Sequence, residues 1–259
     1  MNQRVFSKEW SDWILENISR GCDLDDIYSI LFKQGFNEND IEKALNYSPG
    51  QQKKIKLNEE SPKEKRIQSN VIKFQKSFKS IPKYTQKGFI KTTIDKGVFQ
   101  KITDFYHANQ NSKKTEVVAG DFVTNVDKKS TPSRTIDLPD QLKDEIHTSL
   151  LKDLEQWSST KLLPTYVYGI RIYQNGAILV PHKDRKETHI IGTIINIEQD
   201  LISQWPLEIE DHDGKVHKIY LEPGEVIFYE SATLMHGRPV PLEGKLFSNV
   251  FCHYMPDIS

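Results

Sequence analysis

The last hundred residues break into short runs rich in β-branched and aromatic side chains: "TYVYGIRIYQNG", "THIIGTIINIE", "KVHKIYLEPGEVIFYES" and "KLFSNVFCHYM". Turn signals separate them at Asn175-Gly176, Asp213-Gly214, Pro223-Gly224 and Glu243-Gly244. Val, Ile, Tyr and Phe suit a pleated, half-buried surface, and glycine after Asn, Asp or Pro reverses the chain, so each run reads as a strand. Many short strands joined this way imply a barrel or jelly roll. Ahead of them, helical spacing appears at 98–107 and again at 140–157, where Leu142, Ile146, Leu150 and Leu154 share one face. Helices placed there would cover the outer face of the sheet, and the predicted class is α+β.

The N-terminal part has a different texture. Residues 7–47 hold three helical patterns. Trp10, Trp13, Ile14 and Ile18 follow Ser7 as N-cap; Ile27, Ile30 and Leu31 precede a stop at Gly35; Ile41, Ala44 and Leu45 follow Asn37 as N-cap. The segment "QGFNENDIEKAL" resembles the glycine-aromatic turn and following helix of ubiquitin-associated-type three-helix domains. That likeness implies a docking module for a peptide or partner, while the same pattern also serves a simple packing appendage. From Ser48 to Asn70 apolar residues nearly vanish and lysines cluster, which reads as a solvated linker. The expected organisation is therefore a helical module over 1–49, a polar linker over 50–70 and a main domain over 71–259.

Composition narrows the partners. A net charge of −1 over 259 residues supplies no overall field to attract nucleic acid or an anionic membrane. No uncharged apolar run approaches membrane-spanning length, and the N-terminus has the charges of neither an anchor nor a leader. Two cysteines, Cys22 and Cys252, cannot build a disulfide framework or a cysteine-rich zinc site. The expected setting is reducing and cytoplasmic; the oligomeric state is not encoded in any pattern here.

Chemistry must then come from a site. In "ILVPHKDRKETHIIGTIINIE" the residues of an extended "HKD" that lie two apart point to one face, so His182 and Asp184 address a common point while Lys183 faces away. Downstream, "ESATLMHGRPVPLEGKLFSNVF" offers His236 just after a strand, where a jelly roll can return the chain beside the first pair. Two imidazoles and one carboxylate on one side of a metal form the facial triad of non-haem Fe(II) oxygenases, with three positions left open. Lys245, nine residues beyond His236 and past a glycine turn, could pair with a carboxylate that reaches past the metal; Arg238, two residues beyond His236, is its rival. His212, in the "DHDG" turn, reads as solvated; His253 reads as a core or supporting residue, and Phe228, Tyr229 and Phe247 read as core.

Over roughly the last ninety residues the chain resembles the prolyl 4-hydroxylase-like 2-oxoglutarate- and Fe(II)-dependent dioxygenases. Tyr173 and Gly176, then His182-x-Asp184, then "LEPGEVIFY", then His236 with "GRPVPLEGK", carry the resemblance. It implies a double-stranded β-helix of jelly-roll, cupin-like form. It also implies that His182, Asp184 and His236 hold Fe(II), that Lys245 binds the distal carboxylate of 2-oxoglutarate, and that Tyr173 lines its pocket, with O2 as the second cosubstrate. Many such proteins carry a tyrosine three residues before the first metal histidine, where this chain has Leu179, and another in the next strand, where Thr193 could substitute. The activity implied is hydroxylation of a peptide or protein side chain. Hydroxylation of a free amino acid or other small metabolite is the alternative, and a non-enzymatic jelly-roll binder of metal or ligand the third reading.

Overall fold

The computed structural model describes residues 6–19, 24–47, 61–116 and 122–258. Residues 48–60 of the expected linker and Cys22 lie outside the described residues. The described residues fall into two compact units, one holding 6–19 and 24–47, the other 61–116 and 122–258.

The first unit contains α1 (Lys8–Ser19), α2 (Leu24–Lys33) and α3 (Glu38–Leu45). Its core is Trp13, Ile14, Ile27, Leu31, Phe36, Ile41 and Leu45. Asn37 caps α3 by accepting the Asn39 N–H at 2.9 Å, the local bond that lets a short polar side chain start a helix.

The second unit opens with α4 (Pro62–Ser77), and this corrects the linker boundary. Ser61 and Glu64 form a reciprocal capping box, Pro62 occupies the first turn, and Ile67, Asn70, Val71 and Phe74 are buried on one face. The lysines are real but occupy the solvated side. Asn70 bonds the end of the chain twice, donating to Pro256 O at 2.7 Å and accepting from Ile258 N at 2.7 Å.

Twelve strands follow among the described residues, all antiparallel where they pair. They are β1 (Phe89–Thr93), β2 (Lys114–Thr115), β3 (Val123–Asn125), β4 (Ser133–Ile136), β5 (Leu162–Gln174), β6 (Ala177–His182), β7 (Ile191–Leu201), β8 (Leu207–Glu210), β9 (Val216–Ile219), β10 (Glu225–Tyr229), β11 (His236–Arg238) and β12 (Gly244–Pro256). One sheet has the order β1-β10-β7-β12-β5-β4-β2, the other β3-β6-β11-β8-β9. Between the sheets lies a core of Phe89, Ile194, Leu207, Ile209, Leu221, Ile227, Tyr229 and Leu234.

The opposite face of the larger sheet is covered by α4, α5 (Lys96–Ala108) and α6 (Asp140–Ser158). There Ile102, Tyr106, Ile146, Leu150 and Leu154 pack on Ile170, Ile172, Ile195, Val250 and Cys252. Along their regular stretches β5, β7, β10 and β12 alternate between helix-facing and sheet-facing residues, interrupted at the register shifts of β12. Among the described residues no helix is long and apolar enough to cross a membrane.

Candidate metal centre

β6 and β11 bring the two histidines together. His236 and His182 are register partners, and their ring centroids lie 4.6 Å apart. Such close strand approach depends on Gly237: a Cβ there would fall 2.7 Å from Pro181 Cα and 2.8 Å from Leu179 O. Both rings are oriented through the backbone. Nδ1 of His182 lies 2.8 Å from Val180 O, and Nδ1 of His236 lies 3.0 Å from Leu234 O. A carbonyl only accepts, so each Nδ1 carries the proton and each Nε2 presents a lone pair.

Asp184 completes the cluster. Its Oδ1 is 3.6 Å from His182 Nε2 and 3.8 Å from His236 Nε2, and one ligand atom from each of the three residues lies within 4.8 Å of the others. The Asp184 N–H is held by Ser231 O at 2.9 Å. Burial opposes charge on Asp184, but the imidazoles of His182, His253 and His236 outweigh it and hold the carboxyl well below the usual range. Burial pushes His236 down to about 4, against the pull of the same carboxylate. At neutral pH the cluster is therefore one anion and neutral His236 beside it, a donor set suited to a divalent cation of intermediate softness. Phe122 lies against His182 at 4.9 Å and Tyr229 edge-on to His236 at 4.8 Å, giving the centre an aromatic surround.

Arg238 points to the same side as His236, two positions along β11. Arg238 is 1% exposed, and its guanidinium lies over the rings of Phe247 at 4.4 Å and Trp205 at 4.8 Å. Nη1 donates to Trp205 O, whereas Nη2 is buried without a hydrogen-bond partner. Burial lowers its pKa to about 10, with Tyr173 acting in the other direction. Tyr173 is itself fully buried, 5.0 Å from Trp205, and its hydroxyl accepts a long bond of 3.5 Å from Arg171, which is otherwise clamped by Glu116. A buried cation with an open donor beside a phenol is chemically complementary to a carboxylate.

Two expectations fail on geometry. Lys245 is 82% exposed and pairs with Asp200 at 3.0 Å. Gly244 faces Leu201 while Leu246 already faces Asp200, so Lys245 is the extra residue of a bulge that turns it outward. Thr193 is opposite Phe228 and Cys252, both on the helix-facing side, so it points away from the histidines. His212 is corrected as well: its side chain is 6% exposed and its Nε2 lies 3.1 Å from the buried Glu230, whose carboxylate accepts bonds from Tyr84 N, Thr85 N and the Thr85 hydroxyl.

The residues that sequence reasoning left in the core turn out to touch the centre. Tyr229 packs on His236, and its pKa is raised well above the phenolic value by burial and by Asp184. His253 Nε2 is 3.3 Å from Asp184 Oδ2. The signal for both was parity: each shares the sheet-facing side of its strand with residues of the inter-sheet core.

No family model and no curated protein matches the sequence. Among solved structures, SnoN, the non-haem α-ketoglutarate-dependent epimerase from nogalamycin biosynthesis, aligns with a TM-score of 0.51 at 8% identity, covering 73% of this chain and 83% of that one. A prolyl-4-hydroxylase from Pseudomonas putida aligns at 0.42 and 10% identity over 73% and 98% of the two chains. HygX from Streptomyces hygroscopicus, with nickel, 2-oxoglutarate and hygromycin B bound, aligns at 0.47 and 12% identity over 67% and 84%. At this identity the likeness to SnoN establishes a shared fold.

Proposed function

We propose that this chain is an Fe(II)- and 2-oxoglutarate-dependent dioxygenase that hydroxylates an unactivated C–H of a peptide or protein side chain. The observation that carries the reading is one arrangement: a His182–Asp184–His236 cluster with converging ligand atoms, and, two residues along β11 from His236, a buried Arg238 with an unpartnered Nη2 beside Tyr173. A metal store needs the first feature but not the second. His182, Asp184 and His236 would hold the iron, and Arg238 with Tyr173 would receive the distal carboxylate of 2-oxoglutarate, the role that Lys245 cannot reach. When bound, the metal and cosubstrate supply the oxidation: O2, 2-oxoglutarate and R–H give succinate, CO2 and R–OH.

The chain's own contribution is placement. Val180 and Leu234 carbonyls orient the two imidazoles, and Ser231 fixes the backbone of Asp184. Trp205 and Phe247 keep water from the guanidinium, so that its charge acts in a low dielectric. Phe122 and Val180, both partly exposed, provide an apolar wall beside His182 for a substrate side chain. The three-helix unit fits a ubiquitin-associated-like docking role, and this favours a polypeptide substrate over a metabolite. The test is incubation with Fe(II), 2-oxoglutarate and O2 against panels of peptides and free amino acids. Succinate formation coupled to gain of one oxygen atom in a peptide supports the reading. Gain only in amino acids shifts the substrate class, and no succinate under any condition overturns the activity.

A further inference from the structure

Asp184 uses its two oxygens differently. Oδ1 faces the two imidazole Nε2 atoms at 3.6 and 3.8 Å, whereas Oδ2 faces a third imidazole, that of His253, at 3.3 Å. His253 is 4% exposed and lies near the end of β12, opposite Gly192 of β7. Its ring lies against that of His189, tilted by 32° with centroids 3.9 Å apart, and meets Tyr168 edge-on at 5.6 Å. His189 in turn is fixed at both nitrogens, by the Thr188 hydroxyl at 2.7 Å and the Tyr168 hydroxyl at 3.0 Å. The ring facing the carboxylate is therefore backed by a rigid one.

Space for this arrangement comes from Gly192. A Cβ at that position would lie 2.8 Å from Ser231 Oγ and 2.9 Å from Tyr229 Cε1. Ser231 holds the Asp184 N–H through its carbonyl and the His189 carbonyl through its hydroxyl, at 2.9 and 2.7 Å. Backbone, paired rings and glycine all converge on the orientation of one carboxylate.

We propose that His253 is the positioning residue for Asp184: its Nε2 stands 3.3 Å from Oδ2, which has no hydrogen-bond partner among the described residues, and an N–H bond closed across that gap leaves Oδ1 as the single oxygen offered to the metal. The inference rests on the metal-site reading above and deepens it. An aspartate free to rotate could offer both oxygens, which fills one more position of the cation. A carboxylate tied at Oδ2 keeps that position open for reactants.

The test uses the full chain and Co(II), a coloured substitute for Fe(II), titrated by calorimetry and followed by visible absorption. His253→Phe preserves a ring against His189 but removes the donor; His253→Gln places an amide N–H near the position of Nε2. The expected result is an affinity loss of about ten- to a hundredfold in the Phe variant with a changed Co(II) spectrum. The Gln variant should recover most of the affinity and the wild-type spectrum. Equal affinity and an identical spectrum in the Phe variant overturn the proposal, as does equal loss in both variants. Should the Phe variant fail to fold, nitrogen-15 NMR of histidine-labelled, Zn(II)-loaded wild-type protein decides it, with the His253 signal assigned by its absence from the Gln variant. An Nε2–H tautomer supports the proposal and an Nδ1–H tautomer overturns it. Wild-type protein that binds no Co(II) removes the metal-site reading and this inference together, whereas a binding wild type with an indifferent Phe variant removes only this one.

Discussion

At Arg238 a guanidinium is held out of water against two rings with one of its NH2 groups unbonded. An isolated buried charge is strongly destabilising, so the position makes physical sense as half of an ion pair whose other half is a ligand. A charge-assisted bond of this type is worth roughly 1.5–3 kcal/mol, so Arg238→Met, which keeps the stem's bulk against Trp205 and Phe247, should raise the apparent 2-oxoglutarate constant about ten- to a hundredfold. Lys245→Ala should leave it unchanged, since that ammonium only meets Asp200 at the surface. Steady-state titration of the two variants in parallel reads both outcomes. Asp184→Ala should abolish metal binding in calorimetry. The sequence pointed to His182, Asp184 and His236 as one cluster through spacing, strand parity and the family resemblance, and the structure brings the three together; parity counted from His236 also puts Arg238 on the same side. What it hid was the bulge at Lys245, because an extra residue in a strand leaves no mark in a pattern of apolar and polar letters. Thr193 was hidden for another reason: "HIIGTIINIE" is buried on both faces, so it lacks the alternation that would say which way each residue points.

Among the elements, the pairing of β6 with β11 and the docking of α6 have measurable signatures. Gly237→Ala puts a methyl within 2.8 Å of backbone atoms of Leu179 and Pro181, and backbone cannot step aside as a flexible side chain can. The strands must separate, with a cost on the order of 1–3 kcal/mol, and His182 must draw away from His236. Lower denaturant midpoint together with weaker metal binding is the expected pair of readouts. α6 buries His147, 3% exposed, edge-on to Tyr254 at 5.0 Å. Burial lowers its pKa to about 4, with Lys63 adding to the effect. The folded state thus prefers the neutral ring, and acid protonates the unfolded chain first. Stability tied to this group is complete above about pH 6.5 and declines as pH falls toward 4, by on the order of 3 kcal/mol. In His147→Leu the denaturation midpoint should fall less steeply across that interval than in the wild type. α4 shows why an element can escape a reading by composition. "SPKEKRIQSNVIKF" looks like linker because lysines dominate, yet the Ser61–Glu64 capping box and a sparse stripe at Ile67, Val71 and Phe74 were present in the letters. A helix that buries only about one apolar side chain per turn simply has a weak periodic signal.

For the whole molecule, division into two units predicts separability. A chain comprising residues 61–259 retains the core between the sheets, the core under the helices and the cluster of His182, Asp184 and His236. It should bind Fe(II) and turn over 2-oxoglutarate in the absence of substrate at the full-length rate, while losing efficiency toward a polypeptide substrate that the helical unit docks. Equal loss of both activities would show that the helices serve the catalytic unit's stability instead. The place of β12 has a further consequence, for how the protein comes into being. It is the last strand in sequence yet lies in the interior of the larger sheet, hydrogen-bonded to β7 on one side and β5 on the other. During synthesis β5 and β7 keep their inner edges open until β12 has followed them, and only then can the sheet close. Long-range closure of this kind is slow, and unpaired edges invite pairing with other chains. Nascent chains stalled before β12 has emerged should therefore aggregate or be captured by chaperones more than chains that include it.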